Sequence, residues 1–129
     1  MNVYPAMKLN FIIGGLFLGG VLLGCAGGES NQQDSMNPNT SNPVFKKGQS
    51  LVEVYQCGAC HKVDETLTGP SHKEVAEKYA GADANTIDRL AKKIIEGGSG
   101  AWGNVPMTPH PNVSDEDAHT MVEYILMLK

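Results

Sequence analysis

The stretch Cys57-Gly58-Ala59-Cys60-His61 constrains this chain more than any other feature. Two thiols three positions apart, with an imidazole next in line, form the spacing for covalent haem attachment. Each thiol can add to one haem vinyl group while the backbone turns helically, and His61 then swings under the iron as an axial ligand. A zinc knuckle would need a second pair of ligands, and the sequence holds no other CxxC. A redox-active thiol pair would need a strand-helix-strand setting, which the surrounding pattern does not offer.

Three cysteines are an odd number for an exported protein and leave one to explain. Cys25 accounts for it. Lys8 and the amino terminus precede an uncharged apolar run over residues 11–23, too short and too glycine-rich for a spanning helix of about 20 residues. The run ends in Leu22-Leu23-Gly24-Cys25, which resembles a bacterial lipobox. The expectation is a signal peptide over residues 1–24, cleaved before a cysteine that receives a diacylglycerol; an uncleaved anchor helix is the alternative. Both place the bulk of the chain outside the cytoplasm, held at a membrane. After cleavage nine Lys and Arg face 14 Asp and Glu, a net charge of −5 that disfavours nucleic acid as a partner.

Residues 26–44 are rich in Gly, Ser, Asn and Gln and include Pro38 and Pro43, the composition of a solvated tether. Such a segment spans at most about 60 Å stretched and about 24 Å as a random coil. The globular part is then residues 45–129. At that size one core is marginal by itself, and a staple, metal or prosthetic group is expected to help.

Helical periodicity dominates there. Gly48, Leu51, Val52 and Tyr55 form the stripe of a first helix running into Cys57. A shorter helix is expected over residues 71–79. Ile87, Leu90, Ala91, Ile94 and Ile95 mark another, stopped by Gly97-Gly98. Ser114 caps the last helix, Asp115, Glu116 and Asp117 suit its dipole, and Ala118, Met121, Val122, Ile125 and Leu126 form its buried face. Alternating strand patterns are absent, so the expected class is all-α, with four to five helices and long loops around one haem.

The sixth iron position has six candidates: His72, His110, His119, Met107, Met121 and Met127. Met121 falls on an apolar stripe, His119 on a polar face, and Met127 near a terminus. His72, two residues after Pro70, reads as an exposed helix-start residue. Met107 differs, because Pro106 and Pro109 fix φ on both sides of it. A stiff loop can hold a weak soft ligand against loss to water, and His/Met ligation raises the potential.

Residues 45–129 resemble a small bacterial class I monohaem cytochrome c. The similarity rests on residues 57–61, on Thr68-Gly69-Pro70, on residues 100–107, and on Val113-Ser114-Asp115. It implies that the Pro70 carbonyl accepts the His61 Nδ1 proton, that the Trp102 indole N–H bonds a haem propionate, and that Gly48 meets Tyr124 where the first and last helices cross. Two departures stand out. Lys93 occupies a position where the family often has a propionate-binding arginine, and lacks its fork. Thr108 interrupts the usual proline pair, so either His110 or Asn112 takes the place of the asparagine that bonds the methionine sulfur.

The function implied is electron transfer with both axial sites filled, not catalysis. The partners implied are a quinol-oxidising complex and a terminal oxidase or reductase, met by a monomer or by a subunit of a respiratory complex. The exposed haem edge is expected beside Ala59, Lys62, Val63 and the loop of residues 98–109; that loop carries no charged side chain. An open-site haem enzyme or gas sensor is the rival reading.

Overall fold

The computed structural model describes residues 37–129. The expected signal peptide, the lipidation site Cys25 and most of the tether lie outside the described residues. Four helices carry the fold in the order α1 (Pro43–Val54), α2 (His72–Lys78), α3 (Ala84–Glu96) and α4 (Asp115–Leu126). Each starts on a side-chain cap. Asn42 accepts from the Val44 amide, Asp83 from Thr86 and Ser114 from Asp117, while Ser71 and Glu74 form a reciprocal capping box.

Helix α1 crosses α4 at Gly48, where a side chain is sterically excluded: a β-carbon there would sit 2.3 Å from the Tyr124 Cβ. Phe45, outside the expected stripe, is among the most deeply buried side chains and meets the Tyr124 ring edge-on at 4.8 Å. The apolar face of α1 therefore runs Phe45, Gly48 and Val52. Ala91 and Ile94 of α3 complete the core with Ala118, Met121 and Val122 of α4.

Three differences from the sequence expectation matter. First, α1 does not run into Cys57. It stops at Val54, Gln56 takes a left-handed conformation (φ 55°, ψ 32°), and Cys57–Ala59 forms a 3-10 turn. No glycine marks that break, so periodicity alone runs past it. Second, the expected loop after α3 contains a short antiparallel ribbon, β1 (Gly98–Gly100) with β2 (Gly103–Met107). Its residues are exposed up to Met107, and an unburied ribbon has no reason to alternate. Third, order begins before residue 45: Asn37 and Asn39 donate side-chain hydrogen bonds to the Met127 carbonyl, at 3.2 and 3.1 Å. Among the described residues no helix is long and apolar enough to cross a membrane.

Candidate functional site

The 3-10 turn at Cys57 sets the chemistry. Cys60 N–H and His61 N–H both donate to the Cys57 carbonyl, at 3.1 and 2.9 Å, so the chain stays coiled through the motif. Cys57, Cys60 and His61 thereby line one cavity of about 770 Å3. Burial pushes the Cys57 thiol up, and the nearby Cys60 adds to the shift. A redox-active CxxC needs the opposite, a depressed thiol.

The loop after the motif folds back onto it. Gly69 N–H donates to the Cys60 carbonyl at 3.1 Å, and His61 Nδ1 lies 2.7 Å from the Pro70 carbonyl oxygen. A carbonyl only accepts, so Nδ1 carries the proton and the lone pair is at Nε2, the state a metal ligand needs. A β-carbon on Gly69 would fall 2.2 Å from the His61 Cε1. The glycine is thus the floor on which the imidazole rests, a role its place in the motif does not announce.

Met107 ends β2, half-buried, in the wall of the same cavity. Its loop is seated from three sides. His110 N–H reaches the Ile94 and Ile95 carbonyls at 3.2 and 3.1 Å, and Tyr55 Oη donates to the Asn112 carbonyl at 3.4 Å. The third seat is Gly97 (φ 68°), where a β-carbon would lie 2.5 Å from the Met107 carbonyl oxygen.

The other candidates separate clearly. Met121 is core, 1% exposed, and lines the cavity from behind. His119 is turned outward to Asp88, at 2.7 Å. Met127 caps the end of α4. His72 corrects the sequence expectation: it is buried, 4% exposed, because the returning loop ties its amide to the Lys62 carbonyl at 2.9 Å. Asn112 is exposed, whereas His110 lines the cavity with its Nδ1 buried and unpartnered. Leaving such a group unsatisfied costs roughly 1–3 kcal/mol, so it points to a role.

Trp102 and Lys93 also line the cavity. Sequence reasoning missed what holds the tryptophan. Lys78, at the end of α2, places Nζ 4.2 Å from the Trp102 ring centroid and donates to the Ala101 carbonyl at 2.8 Å. Lys93 Nζ reaches the Ser99 carbonyl at 3.5 Å. Two lysines from different helices thus grip the ribbon, Lys93 at β1 and Lys78 at the turn joining β1 to β2.

These residues fit a haem: two thiols at vinyl spacing, an imidazole with a free Nε2, a thioether in the same cavity, and apolar walls from Ile94, Met121 and Val122. Comparisons agree. A family model described as cytochrome c matches residues 45–129. Cytochrome c-551 of Azotobacter vinelandii is 49% identical over 82 residues, covering 64% of this chain and 98% of that protein. Cytochrome c-552 of Nitrosomonas europaea is 46% identical over 79 residues, covering 61% and 76%. The crystal structure of wild-type Nitrosomonas europaea cytochrome c552 superposes with a TM-score of 0.59 at 44% identity, covering 63% of this chain and 99% of that one. That of the class 1 cytochrome MtoD from Sideroxydans lithotrophicus gives 0.54 at 31% identity, covering 64% and 94%. The chain belongs to the cytochrome c family, as a small class I monohaem member that carries one haem c through Cys57 and Cys60 and transfers electrons rather than transforming a substrate.

Proposed function

We propose that the iron is held between His61 Nε2 and the Met107 sulfur, and that the protein carries single electrons between membrane partners outside the cytoplasm. The observation that carries this is the shared cavity: His61, its Nδ1 proton fixed on Pro70, and Met107, on a pinned loop, both reach it. Haem supplies the one-electron couple. The chain supplies the rest: Pro70 makes His61 a better donor, and the seated loop keeps Met107 from yielding its place to water.

His110 is the partner of the Met107 sulfur, supported by its buried, unpartnered Nδ1 and by the outward exposure of Asn112. Trp102 and Lys93 anchor the propionates, with Lys78 bracing the tryptophan. Trp102 and Val105 leave apolar surface open at the cavity's margin. Such a patch suits brief docking, since a carrier must leave its partner quickly. The partners are a quinol-oxidising complex and a terminal oxidase or reductase. Lipid on Cys25 and the tether would concentrate the head near both without tighter contacts.

The oxidised wild-type protein is expected to show the weak near-infrared band of methionine sulfur bound to ferric haem, and Met107→Ala to lose it. Its absence in wild type, or its survival in the variant, would defeat the ligand assignment and favour an open site. Cys25→Ser is expected to move the haem protein from the membrane to the soluble fraction. Stoichiometric co-purification of the wild type with a respiratory complex would count against a free shuttle.

A further inference from the structure

Among the described residues, two buried side-chain polar atoms lack a hydrogen-bond partner, and both are imidazole Nδ1 atoms in the cavity wall: His110 and His72. His110 has a place beside Met107, but the ligand set gives His72 nothing to do. Its position is unusual for a polar residue, since the first residue of a short surface helix ordinarily meets water, yet it is 4% exposed. Its amide is tied to Lys62, and the capping box of Ser71 and Glu74 closes the helix start around it.

What lies beside it is the His61 ring. The two planes are within 14° of parallel, with centroids 5.9 Å apart. The hydrogen bond to Pro70 fixes where Nδ1 points but tolerates a broad range of angles at the carbonyl, and the terminal torsion of histidine is soft. A parallel ring restrains the plane itself. Gly69 supplies a further wall, since its backbone stands where a β-carbon would strike Cε1.

We infer that His72 is a positioning residue: by stacking on His61 it sets the plane of that imidazole, and it does not bind iron. This rests on the assignment of His61 as axial ligand. The orientation of an axial imidazole governs how unpaired spin is distributed over the haem, so the effect is spectroscopic before it is structural.

The test uses the full-length holoprotein. In the reduced, diamagnetic wild type, proton NMR is expected to give a nuclear Overhauser contact between the two imidazole rings; its absence overturns the inference. In the oxidised protein, His72→Ala is expected to change the spread and order of the four hyperfine-shifted haem methyl resonances while the methionine band stays. His72→Phe keeps a flat ring and removes the unpartnered nitrogen, and is expected to restore the wild-type pattern and raise Tm. An unchanged methyl pattern in His72→Ala, even with a lowered Tm, would reduce the residue to packing and overturn the inference. Should the alanine variant fail to mature, His72→Leu against His72→Phe makes the same comparison of chain with ring. Failure of the axial assignment looks different: the wild type itself would lack a low-spin spectrum with the methionine band.

Discussion

Gly48 and Tyr124 occupy each other's space at the crossing of α1 and α4. A β-carbon at residue 48 would fall 2.3 Å from the Tyr124 Cβ and 2.6 Å from the Thr120 carbonyl oxygen. Backbone cannot rotate away as a side chain can, so Gly48→Ala must part the helices that build the core. The expected loss is about 1–3 kcal/mol, and more for Gly48→Val, read as a lowered denaturation midpoint of the holoprotein. An alanine variant as stable as wild type would show that the crossing is looser than described.

Gly69→Ala acts on the site rather than on the core. The added carbon would meet His61 at 2.2 Å from Cε1 and 2.7 Å from Nδ1, displacing the ring from the Pro70 carbonyl. Haem is still expected to attach, since Cys57 and Cys60 are untouched. The optical spectrum should then show weakened or mixed axial ligation, with the methionine band reduced.

Lys78→Met removes one grip on the ribbon while keeping the apolar stem that lies along the surface. The amine loses its contact with Trp102 and its hydrogen bond to the Ala101 carbonyl. Global stability should fall by only about 0.5–1 kcal/mol, the scale of an exposed cation–π contact. Amide exchange over residues 98–103, by contrast, should quicken measurably; unchanged exchange would mean that Lys93 and the chain hold the strip unaided.

The pair His119 and Asp88 links α4 to α3 and supplies a pH signature remote from the haem. The hydrogen bond to Asp88 and the Asp115 carbonyl hold His119 above its ordinary 6.5. A histidine raised on folding contributes fully below the unfolded value and loses that contribution as pH rises through the folded one. Stability should therefore decline slightly from about pH 6.5 upward, by well under about 1 kcal/mol because the pair is solvent-screened. Asp88→Asn should flatten that part of the profile.

Asn37→Ala combined with Asn39→Ala tests whether the chain before α1 belongs to the domain. Both amides donate to the Met127 carbonyl, an orphan acceptor at the end of α4. Their joint loss is expected to cost about 1 kcal/mol and to speed exchange in the last turn of α4. No change would return these residues to the tether.

The sequence by itself determined the attachment chemistry, because bonding to two vinyl groups demands two thiols at one fixed spacing, and chain order carries that information directly. It also determined helix existence. Ser114 is a cap read from local hydrogen bonding, and Ile87, Leu90, Ala91 and Ile94 repeat at the period of a helix. Phe45 and the ribbon after α3 escaped it: Phe45 stands at helical spacing before Gly48 and Val52 but at the edge of the tether, where composition points to loop, and the ribbon buries no face. Only the tertiary structure decided which further imidazoles are enclosed. His72 reads as a wet helix start until the loop from Cys60 to Pro70 closes back and carries it inside, and His110 is indistinguishable from Asn112 until the Nδ1 of one is enclosed in the cavity wall and the other is left exposed. Burial is fixed by contacts between residues far apart in the chain, and local spacing does not encode them.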